Sequence, residues 1–165
     1  MKKLLLLVLI APLLTACPYE THTYHESAYK PVLMTRENLE NSIELKSPKE
    51  IQNYGKIYVK GNLLFVNEKY EGIHVVDNSN PEKPNNIAFI NIPGNIDISI
   101  KNDIIYADNA VDLVAIKYDG NTIQVVDRNR NVFPEYGTPD GLYLPNEYSE
   151  GNRPDNTVIV KWIKR

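Results

Sequence analysis

Nucleophilic catalysis depends on thiol, hydroxyl and imidazole groups, and this 165-residue chain has one cysteine, Cys17, and three histidines. A catalytic triad needs a nucleophile, a base and an orienting group that meet in space. His74 alternates with Ile73 and Val75 in a segment typical of a strand, so we predict that it is a surface or edge residue of its sheet. His22 and His25 lie in a polar stretch without periodicity. No Gly-x-Ser-x-Gly sequence is present. The pattern therefore disfavours a hydrolase of the triad type.

Two polar segments have the composition of metal ligands. His22 and His25 lie near Glu20 and Glu26, but their neighbours do not favour the helix that this spacing would suit, so a solvated linker is the simpler interpretation. The segment Asp77–Glu82 is rich in oxygen ligands but lacks the order of an EF-hand loop. Asp and Asn commonly cap turns by bonding their own backbone. We therefore predict no metal and no cofactor.

Paired carboxylates could hydrolyse a glycan if the fold brought two of them together in a cleft. Asp97, Asp103, Asp108 and Asp112 recur along one part of the chain, where strand ends and turns normally carry such residues. No pair stands out, so this alternative depends on the tertiary structure. The net charge of −3 disfavours a nucleic-acid partner, and no glycine-rich loop precedes a helix to bind a nucleotide.

The tyrosines of a long loop are the candidate contact residues. Residues 131–156 contain four prolines and three glycines, which indicates a loop, together with Tyr136, Tyr143 and Tyr148. Tyrosine offers a broad amphipathic surface at a low cost in conformational entropy. We predict that these three side chains bind a protein or glycan partner. The alternative is that the loop packs its tyrosines onto its own sheet.

The N-terminus has the organisation of an export signal. Lys2 and Lys3 precede the apolar run Leu4–Leu14, which is too short to cross a bilayer as a helix and suits a secretory signal. The sequence Leu14-Thr15-Ala16-Cys17 resembles the lipobox of bacterial lipoproteins. The resemblance implies a signal peptide over 1–16 and lipidation of Cys17, with palmitate among the acyl chains. It also implies an anchor in the cell envelope, expected in the outer membrane, with the body facing the periplasm or the surface.

Residues 17–33 are predicted to be a flexible tether, and residues 34–165 a β domain. From Lys56 onward, apolar and polar residues alternate in short runs broken by Gly, Asn, Asp and Pro, which predicts strands at 56–59, 63–67, 72–77 and 87–92. A shift of 41 residues aligns Ile57 with Ile98 and Val75 with Ile116. Four strands in a period near 41 residues are typical of a β-propeller blade. Two unrelated sheets are the alternative.

The repeat also carries a family resemblance. The run Ile73–Pro81 (IHVVDNSNP), after Val59–Val66 (VKGNLLFV), resembles the LVIVD repeat, a β-propeller-like family. The resemblance covers residues 56–127 and is weaker in the second unit, where Tyr118 replaces the signature aspartate. The whole chain is similar to envelope lipoproteins of Bacteroidetes-type bacteria. A closed propeller needs four or more blades, whereas this sequence has two repeats. The chain could be truncated, copies could assemble, or the flanking segments could cover the open faces of the repeats. We expect the flanking segments to cover them.

These observations predict an all-β fold of two antiparallel four-stranded blade-like repeats, an incomplete propeller, near residues 56–94 and 97–127. A short helix after the N-cap Thr35 precedes the repeats, and the long loop 131–156 follows them. The chain ends on a closing strand over 157–163, which we expect to lie inside a sheet because both of its faces are mostly apolar. We expect a lipid-anchored binding or scaffold module without catalytic activity, for which oligomerisation is left open. A glycan hydrolase, or an accessory subunit that completes a partner's β-sheet, is the alternative.

Overall fold

The computed structural model describes residues 25–165, which form an almost entirely β structure. The predicted signal peptide, Cys17 and His22 lie outside the described residues. The elements are β1 (Tyr29–Thr35), α1 (Arg36–Glu40), β2 (Glu44–Lys46), β3 (Tyr54–Lys60), β4 (Leu63–Glu68), β5 (Gly72–Asp77), β6 (Asn85–Asn91), β7 (Ile98–Lys101), β8 (Ile104–Asn109), β9 (Asp112–Tyr118), β10 (Ile123–Asn129), a 3-10 turn (Asn146–Tyr148) and β11 (Thr157–Lys164). Within this range, no helix has the length and apolar character needed to cross a membrane.

The strands form three antiparallel sheets, so the all-β prediction is confirmed. Their orders are β2-β6-β5-β4-β3, β10-β9-β8-β7 and β1-β11. The prediction of two four-stranded sheets needs one correction, because β2 adds a fifth strand to the first sheet and its Leu45 packs against the core. No closed barrel or propeller is present in residues 25–165.

Two consecutive meanders, β3 to β6 and β7 to β10, follow the chain order, and their first hairpins keep the 41-residue spacing. The turn between β8 and β9 is one residue shorter than the turn between β4 and β5. β9 therefore follows β5 by 40 residues in register, and the predicted alignment of Val75 with Ile116 is wrong by one residue. A slip of one residue moves every side chain of a strand to its other face.

The first two sheets pack face to face around one apolar core. The first sheet and the residue after β6 supply Phe65, Ile73, Val75, Ala88, Ile90 and Ile92, and the second sheet supplies Ile98, Ile100, Ile105, Ala107, Val114 and Ile116.

Polar contacts join β3 and β7, which are edge strands of their sheets, and the residues beside them. Lys56 pairs with Asp97 at 2.6 Å, the Tyr58 hydroxyl donates to the Ile100 carbonyl at 2.7 Å, and Lys60 pairs with Asp103. We call these three contacts the seam.

The flanking segments and the turn between β8 and β9 form a second, smaller apolar cluster. The predicted helix is confirmed as α1, capped by the Thr35 hydroxyl, which accepts from the Asn38 amide at 3.2 Å. The α1 residue Leu39 is fully buried beside Val158 of β11. The predicted tether over 17–33 is too long, since β1 begins at Tyr29 and pairs with β11. We expected the closing strand to lie inside a sheet, but it pairs with β1 alone and is buried by packing on both sides instead.

Candidate functional site

A cleft of about 560 Å³ lies between the second sheet and the beginning of the long loop. Tyr106 and Leu113, which alternate with core residues, form its floor on the sheet face that points away from the core. Phe133, Pro134 and Tyr136 of the loop form its opposite wall. We call this cleft the groove. Its size and its mainly apolar lining are typical of ligand-binding pockets.

Tyr136 holds the loop against the sheet. Its hydroxyl donates to the Asp108 carboxylate at 2.9 Å and also lies within hydrogen-bonding distance of the Ala110 and Gly94 carbonyls. Its ring packs on Tyr70, with the ring centroids 5.6 Å apart. Burial, together with the nearby Asp108 carboxylate, raises the pKa of the Tyr136 phenol far above its usual range. The phenol therefore remains a neutral donor that fixes the wall of the groove.

Asp108 holds the connection between the two meanders at the end of the groove. Its carboxylate accepts from the Ile96 amide at 3.0 Å, the Asp97 amide at 2.8 Å and the fully buried Asn95 side-chain amide at 3.0 Å. Burial raises the pKa of Asp108, although the hydrogen bonds from the Asp97 and Ile96 amides and the Tyr136 hydroxyl oppose the rise. The Asp108 carboxylate thus fixes the Asn95 side chain and the backbone amides of Ile96 and Asp97.

Three carboxylates line the groove, which bears on the glycan-hydrolase alternative. They belong to Asp97, Asp108 and Glu135. Asp97 is paired in the seam, and Glu135 accepts two hydrogen bonds from the Arg153 guanidinium at 2.7 and 2.8 Å. A general acid or base must reach the substrate atom to which it gives a proton or from which it takes one. These carboxylates are instead directed towards donors of the protein itself.

The structure separates the three predicted tyrosines. Tyr136 and Tyr143 line a second depression of about 440 Å³, together with Leu142 and Trp162, whereas Tyr148 lies in the 3-10 turn and is not among the lining residues. The Tyr136 side chain is already engaged within the protein, because its hydroxyl bonds Asp108 and its ring packs on Tyr70. Tyr143 is mostly exposed, and its carbonyl accepts from the Ser27 amide at 3.0 Å. Of the three, Tyr143 presents most of its side chain to solvent.

His74, predicted as a surface or edge residue, is fully buried. Its Nε2 lies 2.6 Å from Glu68 Oε2, and the Lys49 ammonium lies 3.1 Å from the same oxygen and 4.1 Å from the centre of the Phe89 ring. Burial disfavours the charged Glu68, yet the hydrogen bonds from His74 and Lys49 hold the pKa of this carboxyl below its ordinary value. The prediction was wrong because residues 49–53 fold over this face of the sheet, which periodicity alone does not indicate.

The predicted turn chemistry of Asp77–Glu82 is confirmed. The Asp77 carboxylate accepts from the Ser79 amide at 2.8 Å and from its hydroxyl at 2.6 Å, and the Asn80 side chain accepts from the Glu82 amide at 3.1 Å. Over residues 25–165, no group of three or more His, Cys, Asp or Glu side chains is placed to hold a metal ion.

Removing the Tyr136 hydroxyl should loosen the loop. The change Tyr136→Phe leaves the buried Asp108 carboxylate without one donor, for which we expect a loss of about 1–3 kcal/mol in the free energy of unfolding. Urea unfolding measures the loss, and amide exchange across residues 133–137 should become faster. Tyr106→Phe, on the exposed floor of the groove, is the control and should change both by little. Equal losses in the two variants would contradict the role assigned to Tyr136.

Comparison with protein-family models, curated proteins and solved structures finds no match to this chain.

Proposed function

We propose that this protein is a lipid-anchored module of the bacterial cell envelope that binds a partner and does not catalyse a reaction on it. The sequence Leu14-Thr15-Ala16-Cys17 supports the anchor, because it has the pattern of a lipobox after an export signal. Two or more acyl chains on Cys17 hold a protein to a membrane stably, since each buried methylene contributes about 0.8 kcal/mol. The β domain then faces the periplasm or the surface.

The groove is the observation that carries the binding function. Tyr106 on its floor and Phe133 on its wall remain partly exposed, although each is large and apolar enough to be buried. The carboxylates of Asp97 and Glu135 beside them are paired with Lys56 and Arg153. An apolar cleft whose carboxylates are already paired favours binding through burial of apolar surface.

We also infer that the two meanders are blade-like repeats of the LVIVD type. The shared register of their first hairpins and the face-to-face packing of their sheets support this inference. The flanking segments cover parts of both outer faces, at residues 49–53 on the first sheet and 133–137 on the second.

Photocrosslinking in the envelope tests the binding function. A benzophenone side chain in place of Tyr106 should form adducts of defined mass in intact cells, because the groove holds its partner against this position. The same group in place of Asn121, in the exposed turn after β9, is the matched control and should form few. Equal and diffuse labelling at both positions would contradict a binding site in the groove.

The glycan-hydrolase alternative rests on the carboxylates that line the same groove. We expect the purified full chain to release no reducing ends from cell-wall or surface glycans above the level of a Glu135→Gln variant. Release that Glu135→Gln abolishes, with the fold retained by circular dichroism, would overturn the non-catalytic proposal in favour of the hydrolase.

A further inference from the structure

Two open surfaces of this protein correspond to positions that are buried elsewhere in the same chain. Ile98 and Ile100 of β7 are 6% and 8% exposed because the first sheet covers them. Their counterparts in the register of the first hairpins are Ile57 and Val59 of β3, which are 57% and 63% exposed. We call the outer surface formed by Ile57, Val59 and the adjacent Leu64 the leading face.

The second open surface is the floor of the groove. Phe65 of β4 is 3% exposed because the second sheet covers it, and its counterpart Tyr106 of β8 is 37% exposed. Ser99 of β7 and Leu113 of β9 complete this surface, which we call the trailing face. The first sheet thus lacks a packed sheet on its leading face, and the second sheet lacks one on its trailing face.

We propose that the leading face of one copy packs into the groove on the trailing face of a second copy. The inference rests on the proposed binding function and names a second copy of this chain as the partner. The packing continues the interface that the two sheets already form within the chain. Each copy has both faces, so a head-to-tail interface can form twice between two copies. A quarter turn at each junction closes them into a ring of four sheets, the smallest number typical of a propeller.

The seam supplies an independent argument from charge. Lys56 and Asp97 are counterparts at the 41-residue spacing, so repeating the seam between copies places Asp97 of one copy opposite Lys56 of the other. The Lys60 contact becomes Lys101 opposite Asn62 of the second copy, a donor with an acceptor. Ser99 takes the place of Tyr58 on a much shorter side chain, so the seam repeats between copies through its two lysine contacts.

The flanking segments leave these strands open. Residues 49–53 cover the outer half of the first sheet, where Phe89 and His74 lie, but not Ile57 and Val59 of β3. Residues 133–137 form one wall of the groove and leave Tyr106 partly exposed. The open parts of both faces therefore lie near β3 and β7, the edge strands that the seam joins.

Cysteine crosslinking of the full chain tests this interface. Cys17 is the only native cysteine, so a disulfide between copies at any other position must come from the introduced cysteines. Copies with Val59→Cys and copies with Ser99→Cys, carrying different tags, are co-expressed and oxidised in isolated envelopes. We expect a disulfide-linked mixed dimer at least tenfold above the yield of Val59→Cys paired with Asn121→Cys. A yield equal to that control would overturn the interface.

Ring closure is tested with both cysteines in one chain. The Val59→Cys/Ser99→Cys variant should give a covalent dimer and no larger species, because two junctions close the ring. A ladder of higher multiples, or a closed trimer, would overturn the two-copy ring. If neither experiment links copies while the benzophenone at Tyr106 captures a different protein, this inference fails and the proposed binding function stands. If nothing is captured there either, both fail.

Discussion

Replacing Asp112 with alanine should lower the free energy of unfolding by about 3–5 kcal/mol, the cost of breaking a buried ion pair by removing one partner. The Asp112 side chain is completely buried and accepts from Arg36 at 2.6 Å, Arg128 at 2.8 Å and the Asn131 amide at 3.0 Å. It thereby joins α1, β10 and the beginning of the long loop. Without it, two largely buried guanidinium groups lose their counter-ion.

Urea unfolding of the full chain measures this loss. Asp103→Asn is the control, because the Asp103 side chain is 78% exposed, its pair with Lys60 lies at the surface, and asparagine tolerates the positive φ at this position. Exposed ion pairs contribute about 0–1 kcal/mol, so the control should unfold close to the parent protein. If Asp112→Ala and Asp103→Asn lost similar amounts, the central role of Asp112 would be refuted.

The loss at Asp112 should also depend on pH. Burial disfavours the charged carboxylate, but Arg36, the Asn131 amide and Arg128 together hold the pKa of Asp112 below its ordinary value. A carboxyl group with a lowered pKa stabilises the fold above its unfolded pKa of about 3.9 and loses that contribution as the pH falls through the folded pKa. The difference between the parent and Asp112→Asn should therefore be largest at neutral pH and shrink in acid. A difference that grew in acid would contradict this assignment.

Replacing Cys17 with serine should abolish acylation and detach the protein from the membrane. Serine has no thiol, so no thioether to lipid can form. The variant should appear in the soluble fraction or accumulate as an unprocessed precursor. Metabolic labelling with a fatty-acid analogue and fractionation of envelopes measure both effects.

The matched control is Thr15→Ser, which keeps a small residue before the cysteine and should leave labelling unchanged. Acyl labelling of Cys17→Ser at the parental level would refute the anchor. Loss of labelling with full retention in the membrane would show that another part of the chain holds the protein there. The crosslinks proposed for Val59 and Ser99 do not require the anchor, so the two proposals fail separately.

Local patterns predicted the strands well because the signal for a strand is local. The strand expected over 72–77 is β5 without change, and the one expected over 63–67 differs from β4 by one residue. The turn after β9 carries Asp119-Gly120, a pair typical of short hairpins, and the Asp119 carboxylate accepts from the amides of Asn121 and Thr122 there. Side-chain alternation and turn chemistry are both written within a few residues.

The features that the sequence did not predict depend on contacts between segments far apart in the chain. β1 was assigned to the tether because its partner β11 lies more than 100 residues away, and the burial of His74 depends on residues 49–53 crossing its sheet. The groove likewise depends on Tyr136 meeting Asp108, 28 residues away. No local pattern encodes which distant segment covers a given face.

The sequence by itself thus determined the all-β class and the order of the strands within each meander, because both depend on neighbouring residues. Tertiary structure alone decided which copy of a repeated position is buried: Ile98 is covered and its counterpart Ile57 is open. The two positions carry the same side chain in the same kind of strand, and only the presence of a packed sheet on one of them distinguishes their solvent exposure.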